Sequence, residues 1–217
     1  MRWDADYAAD IFPKLLDGLW LTIQVSLLGM ALALLLGLVI AVVRYAKIPL
    51  LSQVLTGYVL FVRGTPLLIQ AFTIYYVLPE YGITLSLFTS GVLILGVNYS
   101  AYTAEVYRAG IEAVPRGQWE ASTALNLPAW RTWTRIVLPQ GIATIIPVLG
   151  NYQIQMFKDS AILYGIGMTE LLGTARELGV AGRSLEPLTI AGILYLVISY
   201  PAAILTRRLE RRYAPTH

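Results

Sequence analysis

The stretch Glu120–Pro139, EASTALNLPAWRTWTRIVLP, is one of the few polar passages in a very apolar chain. Its first residues favour a helix, and Asn126 stands where that helix should end. Asn tolerates the left-handed backbone of a helix C-terminus better than any residue except Gly. Pro128 then opens a second short helix, predicted over 129–135, because Pro is favoured in the first turn. Ile136 to Pro139 begins another apolar stretch, so the passage predicts a helix–turn–helix elbow between two membrane spans.

The composition indicates an integral membrane protein. Of the 217 residues, 57% are hydrophobic and 13% are charged, whereas soluble domains carry roughly 25% charged residues. The chain has no Cys, and its one His is His217. We therefore expect no disulfide, no metal site and no His-based catalysis. The acidic segment Met1–Leu16 does not resemble a signal peptide, and the net charge of +3 requires no nucleic-acid partner.

Five stretches nearly free of charge have the length of a membrane span, which is roughly 20 residues. They lie at about 18–43, 50–79, 81–107, 136–157 and 187–206. Backbone groups inside a bilayer must bond within their own segment, so the spans are predicted to be helices. No tandem repeat or linker divides the chain. The sequence thus predicts one all-α membrane domain over 1–217, with a polar loop at about 116–135.

The orientation follows from the Lys and Arg residues that flank these spans, because cytoplasmic loops carry an excess of them. One side has ten and the other has five. The ten are Arg44, Lys47, Arg108, Arg116, Arg131, Arg135, Arg207, Arg208, Arg211 and Arg212. This predicts a cytoplasmic C-terminus, a cytoplasmic elbow and an external N-terminus. Trp130 and Trp133 are expected near the membrane surface.

Arg63, Gly64, Thr65 and Pro66 interrupt the second span. Pro66 removes a backbone donor and disfavours helix at Thr65. A charged residue beside a broken helix is costly in lipid, so the break should face protein or water. Two interpretations remain. The break is a kink that lines a pore, or Arg63 lies close enough to the cytoplasmic end for its side chain to extend to the membrane surface.

Two further spans carry polar residues at helical spacing. In the third, Asn98, Tyr102 and Glu105 lie at i, i+4 and i+7, and Arg108 at i+3 from Glu105 predicts an ion pair at a helix end. Asn98 and Tyr102 lie deeper, where an interhelical hydrogen bond is the simplest role.

The fourth span carries Asn151, Gln155 and Lys158 at the same spacing, with Tyr152 beside them. A polar stripe of this kind is expected to face a cavity. An aromatic ring at Tyr152 suits a delocalised cation.

The order of these passages resembles a known family. Glu120-Ala121, a turn residue six positions after the Glu, and then Ile136-x-Leu138-Pro139 are similar to the EAA loop of ABC importer permeases. The sequences RGTPLL from Arg63, AYTAEVYR from Ala101, and LGN from Leu149 through Lys158-Asp159 add to the likeness. Where the family usually has Gly, this chain has Asn126, which can hold the same turn. The resemblance covers nearly the whole chain and is closest to the ectoine/hydroxyectoine permeases of the polar amino-acid uptake branch.

This resemblance implies a type I ABC importer permease, a transport subunit rather than an enzyme. It implies a multi-pass protein of the bacterial inner membrane whose partners are a second permease subunit, identical or not, two ATP-binding subunits and an external solute-binding protein. ATP and Mg would be bound by the ATPase, because this chain has no phosphate-binding Gly-x-x-x-x-Gly-Lys-Ser/Thr motif and no cofactor is expected in it.

The resemblance also implies roles for two groups of residues. Expected contacts along the substrate pathway are Arg63, Thr65, Asn98, Tyr102, Asn151, Tyr152 and Gln155. Expected coupling residues are Glu120, Ala121, Asn126, Leu138 and Pro139.

The segment 158–186 is predicted to lie outside, with an amphipathic helix over 168–178 ended by Gly179. In the family this region covers the pore and meets the binding protein, and the alternative is an interfacial helix that rests on lipid. The alternative function is a secondary transporter or channel driven by an ion gradient. That class favours carboxylates deep in the spans, where only Glu105 comes close.

Overall fold

A computed structural model describes residues 3–213, and within that range the regular structure is entirely helical. The α-helices are α1 Ala5–Tyr45, α2 Leu51–Gly64, α3 Leu67–Phe72, α4 Leu87–Glu112, α5 Arg116–Ala124, α6 Ala129–Arg131, α7 Leu138–Asp159, α8 Leu171–Gly182 and α9 Glu186–Tyr213. Helix α3 continues through a π-helical turn, Thr73–Val77, and a 3₁₀ turn, Leu78–Tyr81. A π-helical turn, Thr132–Val137, joins α6 to α7, and a 3₁₀ helix, Ser160–Ile166, follows α7.

Helix α1 is much longer than the predicted span. It begins at Ala5, where the Asp4 carboxylate accepts hydrogen bonds from the backbone N–H groups of Asp6 and Tyr7. Its 41 residues extend roughly 60 Å at 1.5 Å per residue, about twice the ~30 Å hydrocarbon core of a bilayer. The acidic residues from Asp6 to Asp17 therefore lie on a helical extension of the apolar stretch.

By length and composition, α1 and α9 could each cross a membrane. Helix α2 together with the α3 segment would be a third span, but the two are bent by 110° at a short break. The predicted break in the stretch 50–79 is thus present, and it divides the stretch into two helices that point in different directions. Helices α4 and α7 contain more polar residues and, on their own, do not reach the same hydropathy. The predicted third span also begins later than expected, because 83–86 has no regular structure and α4 starts at Leu87.

The most extensive helix contact joins α1 and α4. Gly29, Ala33 and Gly37 are buried at four-residue spacing on α1, an arrangement that lets two backbones approach closely. A Cβ at Gly37 would overlap the Thr103 hydroxyl and lie 3.0 Å from the backbone nitrogen of Ala104. The Thr103 hydroxyl donates to the carbonyl of Ala33 at 2.8 Å. Small residues and this hydrogen bond therefore fix the crossing of α1 and α4.

The elbow has the predicted turn. Asn126 is left-handed, with φ of 51°. Its backbone N–H donates to the carbonyl of Thr123, and that of Leu127 donates to the carbonyl of Ser122, both at 3.0 Å. These are the two hydrogen bonds of a Schellman motif. The prediction that Asn126 ends the first helix through a left-handed turn is confirmed.

The second helix of the elbow does not stop at 135. From Ala129 the chain stays helical through a π-helical turn into α7, which ends at Asp159. Pro139 lies in the first turn of α7 and has no N–H to donate to the preceding turn, and the wider π-helical turn accommodates it. The second helix of the elbow is therefore continuous with α7.

The outer helix differs from the prediction at both ends. It begins at Leu171, because the Glu170 carboxylate caps it by accepting from the backbone N–H groups of Leu172, at 3.0 Å, and Gly173, at 2.8 Å. It continues past Gly179 to Gly182, where Arg183 adopts a left-handed φ of 48°. The predicted bounds of 168 and 178 are wrong, because the acidic cap and the Arg183 turn were not recognised.

Glu170 also ties this helix to two others. Its buried carboxylate accepts from the Tyr195 hydroxyl of α9 at 2.7 Å and from the Thr22 hydroxyl of α1 at 3.3 Å. Burial raises the pKa of this carboxyl above its ordinary value, and its hydrogen bonds act in the opposite direction. Helix α8 is thus tied to α1 and α9 through the carboxylate of its capping residue.

Candidate functional site: a tyrosine-lined cavity

The site begins at the break between α2 and α3. Pro66 has no N–H, so it cannot donate to the carbonyl of Val62 as a helical residue would. The side-chain amide of Gln70 takes its place and donates to Val62 O at 2.8 Å and to the Thr65 hydroxyl oxygen at 2.7 Å. The Thr65 hydroxyl in turn donates to the carbonyl of Phe61 at 2.9 Å. The break is therefore a defined structure whose freed carbonyls are satisfied by side chains.

Gln70 also joins the break to α4. Its side-chain carbonyl accepts a hydrogen bond from the amide of Asn98 at 3.0 Å, and Asn98 is only 5% exposed. Asn98 thus makes the interhelical hydrogen bond that its depth suggested. Gln70 was not among the predicted site residues, although a Gln four residues after a Pro within a span is the signal that could have revealed it.

A cavity of about 240 Å³ lies between the break, α4 and the end of α7. Five of the predicted pathway residues line it, namely Thr65, Asn98, Tyr102, Tyr152 and Gln155. Pockets for drug-sized ligands measure about 300–1,000 Å³, so this one suits a smaller solute.

Three tyrosine rings form one wall of the cavity. The ring centroids of Tyr99 and Tyr152 are 5.9 Å apart, and those of Tyr102 and Tyr152 are 6.0 Å apart. The Arg63 guanidinium lies 5.4 Å from the centroid of the Tyr102 ring, within cation–π distance. Arg63 is exposed, so a cation stands over an aromatic wall with one side open.

A carboxylate at the end of α7 completes the cavity. Asp159 accepts from the Tyr99 hydroxyl at 2.7 Å and from the Gln155 amide at 3.3 Å. Asp159 was expected only as part of a passage shared with the family. Its position four residues after Gln155, on the same face of the helix, was the available signal.

Helix α7 presents a different face to the cavity from the one predicted. Tyr152, Gln155 and Asp159 line it, whereas Asn151 and Lys158 are exposed and do not. The cavity therefore receives positions i, i+3 and i+7 of α7 rather than i, i+4 and i+7. The two faces differ by a small rotation of the helix, which a 3.6-residue period cannot distinguish over so short a stretch.

The predicted ion pair at the end of α4 is present. Arg108 pairs with Glu105 at 2.8 Å and with Glu112 at 2.7 Å, and Arg44 of α1 also pairs with Glu105. This network lies at the C-terminal ends of α1 and α4, on the side of the elbow.

The elbow itself presents an exposed surface. Glu120, Ala121 and Asn126 are exposed, as are Leu138 and Pro139 at the start of α7. In the described part of the chain, no group of three or more His, Asp or Glu side chains is arranged to hold a metal ion.

A chain of aromatic rings attaches this surface to the bundle. The Trp133 ring packs edge-on against Tyr45 of α1, at 5.2 Å, and against Trp119 of α5, at 5.4 Å. Trp133 is therefore an internal anchor of the elbow, and Trp130 is the more exposed of the two tryptophans.

Comparison with known proteins identifies the family. Residues 24–215 match the family described as "Binding-protein-dependent transport system inner membrane component". This chain belongs to that family.

Individual relatives identify the class of transporter within this family. It is 43% identical over 94% of its length to y4tG of Sinorhizobium fredii, a probable amino-acid ABC transporter permease, and covers 89% of that protein. It is 34% identical over 97% of its length to TcyB of Bacillus subtilis, an L-cystine transport system permease, and covers 90% of it. It is 33% identical over 97% of its length to GlnP of Escherichia coli, a glutamine transport system permease, and covers 96% of it. The chain is a permease subunit of the amino-acid ABC importer class.

Solved structures agree with the fold. A crystal structure described as an amino acid ABC transporter with histidines has a TM-score of 0.92 and 36% identity, with 98% of this chain and all of that chain covered. The MetNI methionine ABC transporter in an inward-facing conformation has a TM-score of 0.78 at 19% identity, with 93% and 96% covered. The second likeness concerns the fold alone.

Proposed function

We propose that this permease carries a zwitterionic polar amino acid or an amino-acid-like compatible solute across the membrane. The observation that carries the proposal is the cavity between the α2–α3 break, α4 and α7. The Asp159 carboxylate lines this cavity, and three tyrosine rings form one of its walls. The Arg63 guanidinium lies over the ring of Tyr102. A zwitterion bears one charge of each sign. Asp159 would attract its cationic end, and Arg63 would attract its carboxylate.

Ectoine and hydroxyectoine are the specific cargo that we propose within this class. Their cation is delocalised, and an aromatic wall favours such a cation over a compact ammonium that needs several hydrogen bonds. The ring of Tyr152 contacts both other tyrosines, and no hydrogen bond joins its hydroxyl to another described residue. The ring of Tyr152, rather than its hydroxyl, is thus the group that we expect to meet the cargo.

The experiment that tests this role is uptake of labelled cargo by proteoliposomes containing the whole transporter. Tyr152→Ala should reduce ectoine uptake by a few-fold to about thirty-fold, since a cation–π contact is worth roughly 0.5–2 kcal/mol. Tyr152→Phe should retain most of the uptake, and basal ATPase activity should persist in both. Tyr200→Ala is the matched control, because Tyr200 is exposed on α9 and does not line the cavity.

The results test the role of the cavity separately from the identity of the cargo. If Tyr152→Ala transports like the wild type, Tyr152 is not a pathway residue and the cavity proposal fails. If Tyr152→Ala impairs uptake of glutamine or cystine, but the wild type takes up no ectoine, the cavity is still part of the substrate pathway and the ectoine assignment is wrong.

The membrane topology that we propose has five spans, with the N-terminus outside and the C-terminus and the elbow in the cytoplasm. The membrane is the inner membrane of a bacterial cell. The spans are those predicted at about 18–43, 50–79, 81–107, 136–157 and 187–206, with the second broken at Thr65 and the helix of the third beginning at Leu87. The excess of Lys and Arg on the elbow side supports this orientation. The ends of α1 and α4 meet there through the Arg44–Glu105 pair.

The absence of Cys from the sequence allows a direct test of orientation. Leu125 in the elbow is 71% exposed and Val180 of α8 is 78% exposed, so a single Cys at either position should react readily. A membrane-impermeant maleimide should label Val180→Cys in intact cells and Leu125→Cys only after permeabilisation. The reverse pattern would invert the proposed topology.

We further propose that the loop at about 116–135 is the coupling segment that docks on an ATP-binding subunit. Glu120 and Ala121 are exposed there, and the loop is attached to the bundle through Trp133. The complete transporter would then contain a second permease subunit, two ATP-binding subunits that hold ATP and Mg, and an external solute-binding protein. ATP hydrolysis would take place in the partner and not in this chain.

A further inference from the structure

Two cavities adjoin where α1 and α4 end, beside the elbow. The first has a volume of about 650 Å³ and is apolar, between Leu38 on α1, Tyr107 on α4 and Ile142 on α7. The second has a volume of about 680 Å³ and is lined by charged and hydroxyl side chains, including Arg44, Lys47 and Arg108. The two share Ala41, Tyr45 and Ile111 as lining residues. Together they form one amphipathic groove, apolar at one end and basic at the other.

The basic end carries an excess of positive charge. Arg44 and Arg108 share the carboxylate of Glu105, and Arg108 also pairs with Glu112. Lys47 is exposed and makes no ion pair with any other described residue. Three cations therefore face two carboxylates, so one positive charge is left for an anionic group.

The topology proposed above puts the groove at a membrane boundary. Arg44 follows directly on the apolar stretch that ends at Val43, and the rings of Tyr45 and Trp133 meet beside it at 5.2 Å. Aromatic rings of this kind concentrate at the level of lipid headgroups. In that topology the apolar cavity would lie at the depth of acyl chains, and the basic cavity at the depth of phosphates.

We propose that this groove binds one anionic phospholipid, with an acyl chain in the apolar cavity and its phosphate against Lys47 and Arg44. Basic pockets between membrane helices favour anionic headgroups, and the adjoining apolar volume suits a lipid over a free phosphate. Trp133 lines the apolar cavity and also contacts Trp119 of α5, so the bound chain would touch the anchor of the elbow. The proposal requires only that the end of α1 lies at a membrane boundary, and it is independent of the cargo.

The test is native mass spectrometry of the full chain, with any subunits that purify with it, after removal of bound lipid. Phosphatidylglycerol and phosphatidylcholine with the same acyl chains are titrated onto the protein in separate experiments, and their affinities are compared. Phosphatidylglycerol should bind more tightly, and Lys47→Gln should weaken it about fivefold, the expected effect of one basic residue near a membrane surface. Lys14→Gln is the matched control, because Lys14 is exposed near the N-terminal end of α1, whereas Lys47 lies in the turn that follows the C-terminal end.

A second pair of variants tests the apolar end. Leu38→Trp should fill the groove and weaken the binding of both lipids. Leu35→Trp should not, because Leu35 is exposed on the same helix but does not line the cavity. Both positions are exposed, so neither variant is expected to disturb the core.

Three results would overturn the proposal. Equal binding of the two lipids, unchanged by Lys47→Gln, would remove the headgroup site. Displacement of phosphatidylglycerol by millimolar inorganic phosphate, with Leu38→Trp binding normally, would make the cavity a phosphate site instead. Lipid binding by the isolated chain but not by a complex with a second permease subunit would show that the face is a subunit interface.

Discussion

Replacing Gln70 by Leu should separate the α2–α3 break from α4. The change removes the donor to Val62 O and the acceptor for the Asn98 amide, and both groups are shielded from solvent. A typical hydrogen bond contributes about 0.5–1.5 kcal/mol, and an unsatisfied buried group costs about 1–3 kcal/mol. Interhelical hydrogen bonds in membranes average only about 0.6 kcal/mol. We therefore expect Gln70→Leu to lower the free energy of unfolding by about 2 kcal/mol.

A double-mutant cycle with Asn98→Leu isolates the bond between the two side chains. Gln70→Leu leaves the Asn98 amide without its acceptor, and Asn98→Leu leaves the Gln70 carbonyl oxygen without its donor while Gln70 still donates to Val62 O. The double variant removes both groups of this bond. The double variant should therefore lose less than the sum of the single variants, by about 0.5–2 kcal/mol.

The assay is denaturant unfolding of the purified chain in detergent, followed by tryptophan fluorescence. Gln53→Leu is the control, because Gln53 is exposed on α2 and should change little. If the two single effects simply add, the Gln70–Asn98 bond does not stabilise the protein, and the account of the break is wrong.

Two further predictions concern backbone geometry. Asn126→Gly should leave transport and stability unchanged, whereas Asn126→Val should destabilise the elbow by roughly 1–2 kcal/mol, the cost of a left-handed backbone for a residue with a Cβ; equal transport by the two variants would argue against the turn. Gly37→Leu should prevent correct packing of α1 on α4, because its side chain would overlap Thr103, whereas Gly57→Leu should be tolerated, since no atom lies within 4 Å of a Cβ there. The two glycine variants are compared by the yield of monodisperse protein in detergent. Equal yields would contradict the close crossing of α1 and α4 at Gly37.

Some of this structure could be predicted because it rests on local chemistry. The left-handed turn at Asn126 follows from the preference of one residue for one backbone conformation. The break at Thr65 follows from the missing N–H of Pro66. The Glu105–Arg108 pair follows from spacing along one helix. In each case the cause lies within a few residues of its effect.

The rest depended on contacts between distant segments. The Gln70–Asn98 bond joins residues 28 positions apart, and Glu170 caps α8 while it binds Thr22, which lies 148 positions earlier. The face of α7 that meets the cavity is fixed by packing against α4 and α9, so a polar stripe alone did not distinguish Asp159 from Lys158. The direction of α3 could not be predicted either, since Pro66 fixes where a helix breaks but not the 110° through which it turns.

Helix α7 connects the two regions of functional interest. It continues directly from the π-helical turn of the elbow and ends at the cavity with Tyr152 and Asp159. Near its start it crosses α4 at Gly141, where a Cβ would lie 3.0 Å from the carbonyl oxygen of Gly110. From Gly141 the helix extends roughly 16 Å to Tyr152 and roughly 13 Å back to Thr132, at 1.5 Å per residue.

If α7 pivots at this close crossing, a displacement of the elbow should reach the cavity at about its own size, because the two arms are nearly equal. Pro147 lies within the longer arm and removes one hydrogen bond there, so bending at that point would reduce the transmitted motion. Asn126→Val acts on one end of this lever and Tyr152→Ala on the other. The first should therefore impair transport of every cargo alike, whereas the second should discriminate between cargoes.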